Sequence, residues 1–201
     1  SEFFGQPLPA GAIDALVGRP VTIAIVPAGT ANLLATNLGL PQDLDACVRI
    51  GLHGARRSLD VGKVNGEHFA VMAGAGLDAM MIRDADAGLK DKVGRIAYVW
   101  TGVKNVQLEP VRMSIEVDGR SWFEDDASCV LVGNVRDVLG GLTVFPEAAF
   151  DDGRLDVGVV TADGWGEWAR TLGRSVLGNV GASPFVQMTT AAIGFVVVAG
   201  A

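Results

Sequence analysis

The segment IAIVPAGTANLLATNLGLP, residues 23–41, constrains the fold more than any other stretch of the 201-residue chain. The apolar run from Val21 to Val26 stops at Pro27, and a run so rich in β-branched residues predicts a short strand buried on both faces. A helix is expected to open at Thr30 or Ala31 and to run through Leu38, ended by Gly39 and Pro41. Asp43 stands at the N-cap position of a second helix over 44–52. Strand, loop and helix in this order form the unit of an open α/β sheet. One strand cannot make a sheet, however, and no partner strand is legible upstream. There, residues 12–17 read as the last turns of a helix that Pro20 blocks.

Beyond Gly54 the pattern changes. Residues 58–64 and 69–73 predict two strands joined around Asn65-Gly66, a strong hairpin signal. Helices are expected over 78–87 and 94–106. Residues 111–117 alternate apolar and polar, turn at Asp118-Gly119 and return through Trp122 toward a strand over 129–132. Further strands are expected at 142–145, 155–161, 185–190 and 195–198. A helix over 164–177 places Trp165, Trp168, Leu172 and Val176 on one stripe, which reads as a core-facing side. The fold class is therefore α/β plus β: an α/β unit followed by an antiparallel β-sandwich with a few helices.

Composition narrows the partners. Apolar residues make up 49% of the chain and charged residues 19%, enough to build a sizeable core. A net charge of −7 argues against nucleic acid as a partner, which would favour a basic footprint. Cys47 and Cys129 lie far apart in apolar runs and read as buried, reduced thiols, with a single disulfide as the alternative. No run reaches the roughly 18–20 apolar residues of a membrane span. Residues 1–10 lack the basic start and apolar core of a secretory signal, so a cytoplasmic location is expected.

Three stretches carry candidate chemistry, each with a simpler reading beside it. In the first, Gly29 permits close backbone approach, Thr30 offers a hydroxyl and an N–H at a helix start, and Asn32 adds an amide. Together they suit an anion such as phosphate. The simpler reading, favoured on the residues alone, is a turn with Thr30 as N-cap. In the second stretch, Asp151, Asp152 and Asp156 cluster around Gly153 and with nearby carbonyls suit a hard cation. A solvated Asp-Gly turn is the simpler reading. In the third, Lys90, Lys92 and Arg95 suit an anionic headgroup or a solvated loop. His53 and His68 lack the companions of a metal site or a triad.

Taken together, these stretches resemble the diacylglycerol kinase catalytic family, which includes bacterial lipid kinases and sphingosine kinases. PAGTANLLATNLGLP is similar to its G-T-x-N segment, and VGNVRDVLGGLTVFPEAAFDDGRLDV to its N-x-x-x-x-G-G-G…P-x-A…D-D-G-x-L-D stretch. AGAGLDA and KVGRIAY match the segment between them. The order and spacing agree from about Val21 to Val160. The resemblance implies an α/β nucleotide-binding domain, of which residues 1–54 are the C-terminal remnant, and a β-sandwich domain over 55–201, itself truncated. It further implies ATP bound in the cleft between them, with Thr30 at the nucleotide and Gly29 and Asn32 beside it. Asp152 corresponds to the carboxylate of a structural Mg²⁺ site, completed by the backbone carbonyls of Ala149 and Arg154.

The chain also departs from the pattern. The family's upstream G-G-D-G-T loop is not found, and neither is the D-G-E segment near its C-terminus that carries the proposed general base. Asn65-Gly66-Glu67 and Asp118-Gly119-Arg120 occupy the wrong part of the order and are hairpin turns. Gly140-Gly141-Leu142 stands where three glycines are usual. No catalytic residue is therefore assigned. The expected function is ATP-dependent phosphorylation of a lipid alcohol such as diacylglycerol, with little turnover by this chain alone and a transient, peripheral contact with membrane. A non-catalytic lipid- or partner-binding sandwich and a relative of the NAD kinases are the competing readings. Pairing into a homodimer through an exposed edge strand is compatible with the pattern.

Overall fold

The computed structural model describes residues 12–28, 32–76, 110–138, 142–192 and 195–199. The expected helices over 78–87 and 94–106, the cluster Lys90, Lys92 and Arg95, and the pair Gly140-Gly141 lie outside the described residues.

Three helices open the fold: α1 (Ala12–Leu16), α2 (Leu33–Asn37) and α3 (Leu44–His53). Asp43 caps α3 as its sequence position predicts, its carboxylate accepting the Ala46 N–H at 2.8 Å. The N-cap of α2 is Asn32, in the left-handed region with φ 44°, while Thr30, the cap expected from the sequence, lies outside the described residues. Asparagine tolerates that conformation better than other residues with a Cβ.

The predicted strand over 21–26 does not form. None of residues 21–28 enters a strand, and Val21, Ile23 and Val26 are 50%, 47% and 47% exposed. The run has strand propensity but no paired strand among the described residues, and propensity alone does not make a strand. Replacing Ile23 and Val26 together by threonine is therefore expected to move Tm by no more than about 2 °C. A fall of many degrees in a thermal melt would show that the run is packed after all.

The rest is β-rich. Strands β1 (Gly62–Val64) and β2 (Glu67–Phe69) pair across the Asn65-Gly66 turn, where both residues have positive φ. A bend after Phe69 then starts β3 (Met72–Ala75), so the expected 69–73 strand is split between two sheets. The strands β4 (Val111–Val117), β5 (Arg120–Ala127), β6 (Cys129–Gly133), β7 (Asp137–Val138), β8 (Leu142–Thr143) and β9 (Leu155–Val160) follow. After helix α4 (Gly164–Val176) come β10 (Val186–Ala191) and β11 (Phe195–Ala199).

Two antiparallel sheets, in the orders β10-β9-β6-β3 and β11-β4-β5, form the sandwich. Alternation along each strand decides which core a residue joins. Val130, Val132, Val157 and Val159 meet Met113, Ile115 and Phe123 from the other sheet. Cys129, Leu131 and Val160 point the opposite way, into a second core with Ile13, Leu33, Leu34, Phe145 and Trp168. Covered on both faces, β6 reads CVLVG with every residue buried. Trp168 takes the core-facing position predicted for it and Leu172 packs against that core, but Val176 at the helix end is 42% exposed. Cys47 and Cys129 are both buried and free.

Candidate active-site region

The acidic loop joins β8 to β9, and its turn is built by local hydrogen bonds. Gly153 adopts φ +73°, and Asp152 Oδ1 accepts the Arg154 N–H at 3.0 Å. The Arg154 guanidinium donates to Thr190 Oγ1 at 2.6 Å.

Residues 57–60 hold this loop from outside. The Asp60 N–H donates to the Phe150 carbonyl at 2.8 Å, and Asp60 Oδ2 accepts the Gly153 N–H at 2.6 Å. The Arg57 guanidinium lies over the Phe150 ring, 4.3 Å from its centroid, and pairs with Asp151 at 2.7 Å. Asn134, fully buried at the end of β6, donates from Nδ2 to the Asp60 carbonyl at 2.6 Å. Its Oδ1 has no hydrogen-bond partner among the described residues. Residues 58–61, predicted as strand, thus serve as a brace, and β1 begins only at Gly62.

The donor set in the loop fits a hard cation with a water-rich shell. Asp152 Oδ2 and the carbonyl oxygens of Ala149 and Arg154 accept no hydrogen bond among the described residues. All are oxygen donors, the kind Mg²⁺ takes alongside several retained waters. Among the described residues no three His, Cys, Asp or Glu side chains group as a metal cluster, so carbonyls and water would supply most of the shell. The simpler turn reading describes the backbone correctly and is compatible with this.

The loop's charge leaves a pH signature. Burial, then the neighbouring Asp152 and Glu147 carboxylates, push the Asp156 carboxyl up to about 6, with Arg154 acting in the opposite sense. The unfolded chain releases that proton near 3.8, so between these values the folded state holds more proton than the unfolded one. Stability should therefore fall as pH rises through this window in metal-free buffer, by about 1 kcal/mol after allowing for solvent screening of a half-exposed group. Asp156→Asn should remove that slope in denaturant titrations at successive pH values. An unchanged slope would mean that another group causes it.

Of the residues expected at the nucleotide, Gly29 and Thr30 lie outside the described residues and only Asn32 is placed, ahead of the five-residue helix α2. The end of α2 is tied to the sandwich. The Asn37 side chain bonds both backbone groups of Asp137 in β7, donating from Nδ2 to its carbonyl at 2.7 Å and accepting its N–H on Oδ1 at 2.9 Å. A second tie joins α1 to β2, where Asp14 Oδ1 lies 2.6 Å from His68 Nδ1. That hydrogen bond holds the Asp14 carboxyl below the usual carboxylate range.

Comparison with known proteins gives these two regions separate matches. Residues 71–196, more than half of the chain, match the family described as the YegS C-terminal NAD kinase beta sandwich-like domain. Residues 10–64 match the diacylglycerol kinase catalytic domain. The chain belongs to the YegS/diacylglycerol kinase family.

Relatives within this lipid kinase family agree. The chain is 31% identical over 148 residues to a probable lipid kinase YegS-like protein of Klebsiella pneumoniae (strain 342), covering 73% of this chain and 50% of that one. It is 30% identical over 166 residues to a diacylglycerol kinase of Bacillus subtilis (strain 168), covering 82% and 54%. A solved diacylglycerol kinase from Bacillus anthracis str. Sterne superposes with a TM-score of 0.64 at 26% identity, over 89% of this chain and 58% of that one. Another structure from the same strain reaches 0.71 at 30% identity, over 92% and 60%. The chain thus spans about half the length of the lipid kinases it matches in sequence. The two-part architecture read from the sequence agrees with these neighbours.

Proposed function

We propose that the chain takes part in ATP- and Mg²⁺-dependent transfer of the γ-phosphoryl group to the hydroxyl of a lipid alcohol such as diacylglycerol. One observation carries this reading. The two family matches follow each other along the chain, and the acidic loop of the second is braced by residues 57–60 of the first. Phosphoryl transfer depends on positioning and on stabilising charge rather than on covalent chemistry by the protein, so a braced loop of oxygen donors is a fitting part.

In this reading Gly29, Thr30 and Asn32 face the nucleotide phosphates. Asp152 Oδ2 and the Ala149 and Arg154 carbonyls would hold Mg²⁺, which when bound would supply positive charge to that region. No residue of the chain is assigned as general base for the lipid hydroxyl. Without one, turnover by this chain alone is expected to be very low. Among the described residues no helix is long and apolar enough to cross a membrane, and lipid would be met by peripheral contact.

Calorimetric titration with ATP tests the nucleotide part. Heat of binding should appear with Mg²⁺ and fall sharply in EDTA. Binding of NAD in preference to ATP would favour a soluble-dinucleotide kinase. Binding of neither, by a folded chain, would favour a non-catalytic sandwich.

A further inference from the structure

We propose that Asn37 is a positioning residue that ties α2 to the sandwich and so fixes where Asn32, at the N-cap of that helix, sits; its ligand consequence rests on the nucleotide reading above. Asn37 lies in the region that matches the catalytic domain, and Asp137, 100 residues later, in the region that matches the sandwich. The carboxamide of Asn37 presents the donor and acceptor of a peptide group, and it pairs with the donor and the acceptor of Asp137. Nδ2 also donates to the Leu33 carbonyl in its own helix at 2.9 Å, so the side chain is fixed at both ends. The half-buried setting shields these bonds from water.

The contact continues beyond Asp137. Its Oδ1 accepts the Thr143 hydroxyl at 2.7 Å, and the Thr143 carbonyl accepts the Ser175 hydroxyl of α4 at 2.5 Å. Thr143 and Ser175 are both buried. A continuous series of hydrogen bonds therefore runs from α2 through the β7–β8 pair to α4. The segment carrying Asn32 precedes α2 directly, so the latch sets its place relative to the sandwich without touching ligand. Small displacements of positioning groups carry large functional costs.

Asn37→Asp separates the hydrogen bonds from packing, because it is isosteric but exchanges the amide donor for a carboxylate oxygen facing the Asp137 carbonyl. Hydrogen exchange at the Asp137 amide should speed up roughly tenfold or more in N37A, which removes its acceptor, with the β3, β6, β9 and β10 sheet unchanged, whereas N37D keeps an acceptor oxygen for that N–H and loses only the donor to the Asp137 carbonyl. The Kd for Mg·ADP, measured on the same samples, should rise by about threefold to tenfold. Wild-type exchange and wild-type Kd in N37A would overturn the proposal. So would faster exchange spread evenly over the whole sheet, since Asn37 would then contribute only to global stability. If the wild-type chain bound no nucleotide, the kinase reading and the ligand half of this proposal would both fail. Exchange at Asp137 would still decide the latch.

Discussion

Phe145→Ala should destabilise the protein by about 3–5 kcal/mol. The ring is 1% exposed and fills a groove made by two glycines on adjacent strands, Gly133 of β6 and Gly158 of β9. A Cβ on Gly133 would stand 2.6 Å from Phe145 Cε2, and one on Gly158 would stand 3.1 Å from Cε1. The strands thus lack side chains where the ring lies, and removing the ring leaves a cavity that a sheet covered on both faces cannot close. For a chain of this size, such a loss lowers Tm by roughly 10 °C or more. Gly133→Ala should also destabilise, by about 1–3 kcal/mol, through overpacking against the ring. Because the two positions touch, G133A combined with F145L should cost less than the sum of the single changes. Denaturant titrations of the four proteins check this, and strict additivity would mean that ring and glycine are not in contact.

The second large effect concerns Mg²⁺. Asp152→Ala should weaken Mg²⁺ binding by at least about tenfold, the scale seen when even indirect metal contacts are removed. Asp152 is exposed and the hydrogen bond that its carboxylate accepts from the Arg154 N–H is local, so folding in metal-free buffer should change little. Mg²⁺ should raise the Tm of the wild-type chain by mass action, and that rise should vanish in D152A. Asp151→Ala is the matched comparison. Its carboxylate pairs with the exposed Arg57, an interaction worth about 0–1 kcal/mol, and its Mg²⁺ response should survive. Equal responses in wild type and D152A would remove Asp152 from any metal site.

The parts of the fold that were legible in the sequence were those specified by neighbours in the chain. The Asn65-Gly66 and Asp118-Gly119 turns, the Asp43 cap and the alternation of β4 each depend on a few adjacent residues. The run at 21–26 misled because a strand requires partners that its own residues do not encode. At the site, the carboxylates of the acidic loop stood out as a cluster. Their brace did not. Asp60 sits within a plausible strand pattern, and its partners Phe150 and Gly153 lie some 90 residues away in sequence. The bond from Asn134, the first residue of a recognisable motif, to Asp60 was hidden for the same reason, and so was Asn37. Each is a single amide whose role comes from a distant backbone group, and a lone sequence offers no periodicity that would reveal it.

The most direct test of the central claim replaces the matching 54% of the Bacillus subtilis diacylglycerol kinase with this chain. The purified chimera, shown to be folded by a cooperative melt, would be incubated with γ-labelled ATP, Mg²⁺ and diacylglycerol in mixed micelles. Labelled phosphatidic acid is expected, dependent on Mg²⁺ and strongly reduced by D152A. A folded chimera that binds ATP yet labels neither diacylglycerol nor any other lipid alcohol would contradict it.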